Sequence, residues 1–258
     1  MQPDIPTISI VTPSFNQGRF IERTIQSVLS QNYPKLELIV MDGGSTDETL
    51  SILKKYKNKI SFVSQKDKGQ SDALNQGIAK ATGSIIGYLN SDDMLMPGSL
   101  KKVAAYFMAH PKRLWLTGDY IIVNQDDQPI QTFVVKYKQW LRNHGSSSLL
   151  SVANYIAQPS TFWRASANLQ VGNFDESLHY CMDFDFWLRL YQHQPPMVVK
   201  TALSKFRIHT NSKGGSMYQK QFAQEHEVIK RYTTSRLIRI AHAMHAQAII
   251  MAYKLLKK

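Results

Sequence analysis

Within the first hundred residues, four short β-rich runs alternate with segments of helical spacing, and each run ends in a polar loop. Ile8 to Thr12 is a buried-strand run, and Phe20, Ile21, Ile25, Val28 and Leu29 then recur at three and four residues. Leu36 to Met41 is a second strand, followed by Ser45-Thr46-Asp47-Glu48, which supplies capping chemistry for a helix carrying Leu50, Ile52, Leu53 and Tyr56. Ile60 to Val63 is a third strand. A helix from about Gln70 to Ala81 follows, with Ala73, Leu74, Gly77 and Ile78 on one face. Ser84 to Leu89 is a fourth strand, and another helix begins near Pro97, a residue suited to a first turn. Repeated β-α units of this length imply an α/β fold, a mostly parallel sheet with helices on both faces. In such sheets ligands bind at the carboxyl ends of the strands, so the strand-to-helix loops are where chemistry is expected.

Four loops at equivalent positions carry polar clusters: Thr12-Pro13-Ser14-Phe15-Asn16, Asp42 to Asp47, Asp67 to Asp72, and Asn90-Ser91-Asp92-Asp93. Any one of them alone reads as a turn or helix cap. Four in succession, gathered by the fold to one rim, read as a binding site. Adjacent carboxylates at a buried strand end repel and resist ionisation unless a cation lies between them or they point apart. A hard divalent ion such as Mg²⁺ takes one or two carboxylates and completes its shell from phosphate and water. Asp92 and Asp93 suit that role, the alternative being a cap on the helix after Pro97.

The second half is less regular. Leu114 to Val123 and Ile130 to Val135 read as two strands joined through Asn124 to Pro129; Phe184 to Tyr191 reads as a helix, and Val198 to Ile208 as extended chain. Beyond the break at Ser212 to Gly215 the chain reads as helical. Charge separates the end of the sequence from the rest: residues 200–258 hold twelve Lys or Arg against Glu225 and Glu227, a net of +10 out of +12 for the whole. Within Arg236 to Lys258, residues Leu237, Ile240, Ala241, Met244, Ala248, Met251 and Leu255 form one helical stripe, with basic residues at both ends. A basic amphipathic helix of this kind suits an anionic bilayer surface; packing on the body of the chain or on a twin subunit, as a homodimer, is the alternative. Cys181 is the one cysteine, so no internal disulfide forms. No uncharged apolar run is long enough to span a bilayer, and MQPDIPTISIV lacks the features of a secretory signal, so a cytoplasmic address is expected, with peripheral attachment at the inner face of the plasma membrane. His242 and His245 stand at i, i+3, a spacing that can hold zinc, but no partner ligands lie nearby in sequence.

The runs ISIVTPSFNQGRFIERTIQSVLSQNYPKLELIVMDGGSTDET and DKGQSDALNQGIAKATGSIIGYLNSDDMLMPGSL, followed later by FDESLHYCMDFDFWLRL and FRIHTNSKGGS, resemble the family 2 inverting glycosyltransferases of GT-A fold. The resemblance covers residues 7 to 110 most strongly. It implies a GT-A catalytic domain over 1–215, with a nucleotide-binding half (1–110) and an acceptor half (111–215), and a basic helical segment over 216–258. It further implies that Thr12, Ser14 and Asn16 line the nucleotide pocket and that Asp42 meets the base or ribose. Asp67, Gln70 and Asp72 would lie near the ribose or diphosphate. Asp92 and Asp93, with His209, would bind a Mg²⁺ or Mn²⁺ ion, and Lys213 would neutralise the phosphates. Asp183, ahead of an aromatic-rich helix, would be the base that deprotonates the acceptor hydroxyl. Three positions depart from the family pattern: Gly43 and Asn90 stand where acidic residues are common, and Met182 where Glu is. Asp185, two residues beyond Asp183, would point elsewhere on a helix, and a dipole partner or cap at the helix start stands beside a binding role for it.

The function so implied is metal-dependent transfer of a hexose or N-acetylhexosamine, with UDP as the family's commonest nucleotide, to a glycan or lipid-linked saccharide, with inversion. The chain has no Gln-x-x-Arg-Trp motif, which favours single-sugar transfer over processive synthesis. A sugar nucleotidyltransferase would need a Gly-rich, basic loop after the first strand, and TPSFNQG is not one. A non-catalytic basic module for membrane, nucleotide or nucleic acid would not need Asp92, Asp93 and Asp183 together.

Overall fold

A computed structural model of the chain describes residues 5–210, 212 and 217–256. The elements in order are β1 (Ile8–Ser14), α1 (Gly18–Leu29), β2 (Leu36–Asp42), α2 (Thr49–Lys55), β3 (Ser61–Ser64), α3 (Gln70–Lys80), β4 (Ile85–Tyr88), β5 (Met94–Leu95) and α4 (Ser99–Ala109). They continue as β6 (Trp115–Val123), α5 (Thr132–Asn143), α6 (Ser147–Val152), β7 (Thr161–Arg164), α7 (Ser166–Val171), α8 (Met182–His193), β8 (Met197–Arg207), α9 (Tyr218–Tyr232) and α10 (Arg236–Leu256). The eight strands form one mixed sheet in the order β3-β2-β1-β4-β7-β6-β8-β5. The β3-β2-β1-β4 half is parallel throughout, as the β-α alternation predicts. Beyond it β7 runs antiparallel to both β4 and β6, β8 is parallel to β6, and β5 closes the far edge antiparallel to β8.

Helices cover both faces of the parallel half, so its strands are apolar on both sides. Successive residues of β1 therefore enter different cores: Ile8 and Ile10 join Ile21, Ile25, Leu53 and Phe107 on one face. Val11 joins Leu74 and Tyr88 on the other, a layer that runs on to Trp115, Trp163 and Trp187. Gly77 explains how close α3 sits, because a methyl there would collide with Val11 of β1. In the second layer the Trp115 and Trp187 rings stack at 5.9 Å, and Trp163 meets Trp187 edge-on at the same distance. This aromatic cluster pins α8 to the sheet, and with it the loop that starts α8.

One expected strand is absent. Ile130 to Val135 pairs with β6 only at the Val123–Pro129 bridge and through Ile130 N–H donating to the Ile122 carbonyl at 2.8 Å. Gln131 then takes a left-handed conformation (φ +49°), and the chain turns into α5. The reason is periodicity at longer range. Val134, Tyr137 and Leu141 fall at three and four residues, and burying that stripe outweighs the β preference of Val134-Val135.

Candidate active site

The parallel strands end in step: Ser14 pairs with Asp42 and Asp42 with Ser64, so their following loops share one rim. Asn16, at φ +51°, ties the first two loops together, its N–H donating to Ser45 Oγ at 2.7 Å and its Oδ1 accepting from Thr46 N–H at 2.9 Å. Asp47 bridges two helix starts, accepting from Gly18 N–H of α1 at 2.8 Å and Thr49 N–H of α2 at 3.0 Å. Burial alone would raise the Asp47 carboxyl, but these bonds and one from the Thr49 hydroxyl outweigh it and hold the group below its ordinary value. Asp42 is buried, with Oδ2 accepting from Ser45 N–H at 3.0 Å and Ser64 Oγ at 2.6 Å, and Oδ1 accepting from Ser45 Oγ.

Thr12 and Ser14 differ from these. Both are buried at the end of β1, and neither hydroxyl has a hydrogen-bond partner. Buried polar groups are nearly always paired, so two orphans side by side on a strand end point to a ligand that completes them.

The third loop approaches the second because Gly43 has no side chain: a Cβ there would lie 2.7 Å from Asp67 Oδ2. Where a second acidic residue is absent at position 43, Asp67 brings a carboxylate to the same spot. Burial, and then the charges of Asp72 and Asp42, hold Asp67 above the usual carboxylate range, although its bond from Gly69 N–H opposes them. Asp72 is occupied in shaping this loop. Its oxygens accept from Lys68 N–H and Gln76 Nε2, both at 2.9 Å, and those bonds keep it lower than usual. Gln70 Nε2 donates to Asn90 Oδ1 at 2.8 Å, while Asn90 Nδ2 donates to Gln158 Oε1 at 3.0 Å and Asp93 Oδ2 at 3.3 Å. That chain explains Asn90, since a carboxylate there could not donate to either oxygen.

Asp92 and Asp93 point apart. Asp93 is fully buried, with Oδ1 accepting Arg207 N–H at 2.8 Å; burial and then the Asp92 charge push its carboxyl well above the ordinary range. Asp92 is less buried, and its Oδ2 lies 3.1 Å from His209 Nε2. The His209 ring packs on Phe20 at 4.7 Å between centroids. Among the described residues, no three His, Cys, Asp or Glu side chains gather as a metal-binding group. One carboxylate and one imidazole suit a Mg²⁺ or Mn²⁺ ion whose remaining positions go to phosphate oxygens and water, so the residues fit the expected cation as a pair. Lys213 lies outside the described residues. His242 and His245 do not converge on a site: one ring faces the Val152 carbonyl at 3.2 Å, the other the Tyr137 hydroxyl at 3.0 Å.

Asp183 opens α8, with Oδ1 accepting from Phe184 N–H at 2.8 Å, and it is half-buried among buried neighbours. Asp185 is instead buried in an ion-pair hub with Arg189 at 2.9 Å and the Tyr232 hydroxyl at 2.6 Å, a structural role. The loop before α8 is fixed from two sides. Ser71 Oγ donates to the Leu178 carbonyl at 3.2 Å, and Gln224 Oε1 accepts from Tyr180 N–H at 2.8 Å and Cys181 N–H at 3.3 Å. Tyr88, buried at the end of β4, links the two halves: burial, then the charges of Asp183 and of Asp93, hold its phenol well above the usual range. The charges of both carboxylates therefore reach one buried phenol.

Arg207 is the important residue that sequence reasoning missed. Its Nε donates to the Asp92 carbonyl and its Nη1 to the Asn124 carbonyl, both at 2.8 Å, and its Nη2 pairs with Asp127 at 2.5 Å. It fixes the Asp92-Asp93 turn against the Asn124–Asp127 loop. The available signal was its place two residues before His209 in a strand.

The sequence profile of Glycosyl transferase family 2 matches residues 9–144. The chain belongs to this family. It is 30% identical over 194 residues to the chondroitin synthase of Escherichia coli, covering 74% of this chain and 27% of that protein. It is 28% identical over 207 residues to an uncharacterized glycosyltransferase of Rickettsia prowazekii (79% and 64%). To the putative teichuronic acid biosynthesis glycosyltransferase TuaG of Bacillus subtilis it is 34% identical over 133 residues (50% and 52%). The chain thus spans less than two thirds of the length of these three relatives. Its fold is similar to Staphylococcus aureus TarS 1–349 in complex with UDP (TM-score 0.63, 23% identity, 86% of this chain and 65% of that one). It is also similar to the mannosyltransferase PcManGT of Pyrobaculum calidifontis in complex with GDP-Man and Mn²⁺ (TM-score 0.70, 17% identity, 98% and 76%). The fold is that of the GT-A glycosyltransferases, and the activity of the family is glycosyl transfer.

Proposed function

We propose that this glycosyltransferase moves one hexose or N-acetylhexosamine from a nucleotide sugar, UDP-linked by preference, to a hydroxyl of a glycan or lipid-linked saccharide, with inversion and with a divalent cation. Support comes above all from the polar rim, where Asp92 lies 3.1 Å from His209 and the charges of both Asp183 and Asp93 reach the buried Tyr88 phenol. Asp92 and His209 would hold Mg²⁺ or Mn²⁺, with Asp93 and Arg207 fixing the turn behind them. The ion, when bound, supplies positive charge where the nucleoside diphosphate departs. Thr12 and Ser14 offer their unpaired hydroxyls to the nucleotide, Asn16 and Asp42 hold the loops that frame it, and Asp67 and Gln70 face the ribose and diphosphate, with Asp72 shaping their loop. Lys213 would neutralise phosphate. Asp183 accepts the proton of the acceptor hydroxyl while that oxygen attacks the anomeric carbon from the side opposite the leaving phosphate. The bond to phosphate oxygen breaks with its electron pair, and one displacement inverts the centre. Residues 1–215 form the catalytic body in this reading, and residues 216–258 a helical segment through which the enzyme meets an anionic membrane from the cytoplasmic side.

Calorimetric titration with UDP and GDP, each with and without Mn²⁺, tests the donor half. Wild type should bind one of them in a Mn²⁺-dependent manner, and Asp92→Asn should lose the Mn²⁺-dependent part. Binding that ignores Mn²⁺, or no nucleotide binding, would refute the reading.

A further inference from the structure

Helix α10 rests on the body with the opposite face from its apolar stripe. His242 and Ala246 turn inward, and His242 reaches the Val152 carbonyl at the end of α6. Leu237 (78% exposed), Ile240, Met244 (69%) and Met251 point to solvent, one behind another along about 21 Å of helix at 1.5 Å per residue. Helix α5 stands beside it, because the Tyr137 hydroxyl meets His245 Nε2 at 3.0 Å and their rings stack at 6.1 Å. Phe133 and Trp140 lie four residues before and three after Tyr137, on the same side of α5, and are 79% and 58% exposed. Monomers rarely leave so much large apolar surface together unless something covers it.

The charged side chains that α5 and α10 expose among the described residues are cationic. No Asp or Glu occurs between residues 128 and 174, the stretch that contains α5 and α6, nor between residues 228 and 258. Those two stretches hold four and seven Lys or Arg respectively, of which Arg142 is buried against Asp119, and Lys230 and Arg231 pair with Glu227 and Asp175. Lys136 on α5 and Arg236 at the start of α10 are exposed, and Arg239 is half-buried one turn on. A second copy of the chain would bring the same positive charge to a two-fold contact and be repelled. An acidic lipid surface accepts both the apolar ridge and its cationic rim.

We infer that α5 and α10 together form a bilayer-docking face, in which Phe133, Trp140 and the Leu237–Met251 ridge enter the headgroup layer of an anionic membrane and the flanking Lys and Arg bind its phosphates. This deepens the membrane contact proposed above by placing it on two helices and orienting the body.

Vesicle binding tests it without donor or acceptor, so its failure leaves the transferase reading untouched, and failure of the transferase reading leaves the vesicle result intact. Full-length protein should sediment with phosphatidylcholine vesicles containing phosphatidylglycerol and stay in solution with phosphatidylcholine alone. Tryptophan emission should shift to the blue on binding, because Trp140 is exposed while Trp115, Trp163 and Trp187 are buried. Arg236→Gln with Arg239→Gln should weaken partitioning roughly 30-fold, at about 1 kcal/mol per cation. Ile240→Glu with Met244→Glu should abolish pelleting and the spectral shift at unchanged thermal stability. Trp140→Phe should bind and lose the shift. Equal pelleting of wild type and the Ile240→Glu/Met244→Glu variant, no preference for phosphatidylglycerol, or a wild-type dimer that this variant dissociates would each overturn the inference.

Discussion

Glu225 of α9 is buried 42 residues beyond the base in sequence, yet it feels the charge of Asp183. Burial raises its carboxyl from an ordinary 4.5 to about 7, against the opposing bond from Gln221 Nε2 (2.9 Å) and the attraction of half-buried Lys138. A carboxyl raised in the folded state binds a proton that the unfolded chain releases. Its folded-state advantage is complete below about pH 4.5 and is lost as pH rises through about 7. At about 1.4 kcal/mol per pH unit, ionised Glu225 costs the fold about 3 kcal/mol above that range. Glu225→Gln keeps a group that can bond Gln221 and removes the charge. The gain is a ceiling, because Lys138, whose ammonium is already lowered by burial, loses one of the two anions that raise it. Thermal unfolding at steps from about pH 4 to about pH 8 should show wild type and variant nearly equal at the acid end. At pH 8 the variant should melt higher by up to about 6 °C, at roughly 2 °C per kcal/mol for a chain of this length. Parallel profiles, or a variant less stable at pH 8, would refute the reasoning.

Asp47→Ala should cost about 1–3 kcal/mol in urea unfolding at neutral pH, because it uncaps α1 and α2 together. The wild-type advantage should shrink as acid protonates Asp47, whose lowered carboxyl stabilises the fold fully above its ordinary value and loses that contribution as pH falls from there through the lowered one. Gly43→Ala puts a methyl into the Asp67 carboxylate and should weaken nucleotide binding about ten-fold, the effect of about 1.4 kcal/mol of displacement, with only a small change in melting temperature. Unaltered nucleotide affinity in Gly43→Ala would remove Asp67 from the donor site.

The parallel half of the sheet was legible because β1, β2 and β4 are buried on both faces and each helix on one, which writes short apolar runs alternating with helical stripes into the sequence. The second half was not. Strand β7, Thr161–Arg164, is four residues long, and β5, Met94–Leu95, is two, so neither carries a period. In α5 the local preference of Val134-Val135 pointed to a strand, and only burial of the longer Val134–Leu141 stripe made it helical. The polar loops were legible as a cluster, but the division of labour inside them was not. Asp72 and Asp47 differ from Asp67 and Asp92 in which backbone and side-chain groups reach them, a property of loop geometry. Arg207 acts mainly through carbonyls of residues far from it in sequence, which no motif records. On α10 the apolar stripe was visible, but whether it faced inward depended on His242 and Ala246 seating against α6 and α9.

Transfer from a panel of UDP- and GDP-sugars to saccharide acceptors, with the product anomer read by NMR, tests the central claim most directly. Wild type should give a product of inverted configuration. Asp183→Asn should bind donor and cation as before while turnover falls about 10²–10⁴-fold, the range for a lost general base. A product of retained configuration, or near-normal turnover in Asp183→Asn, would contradict the account.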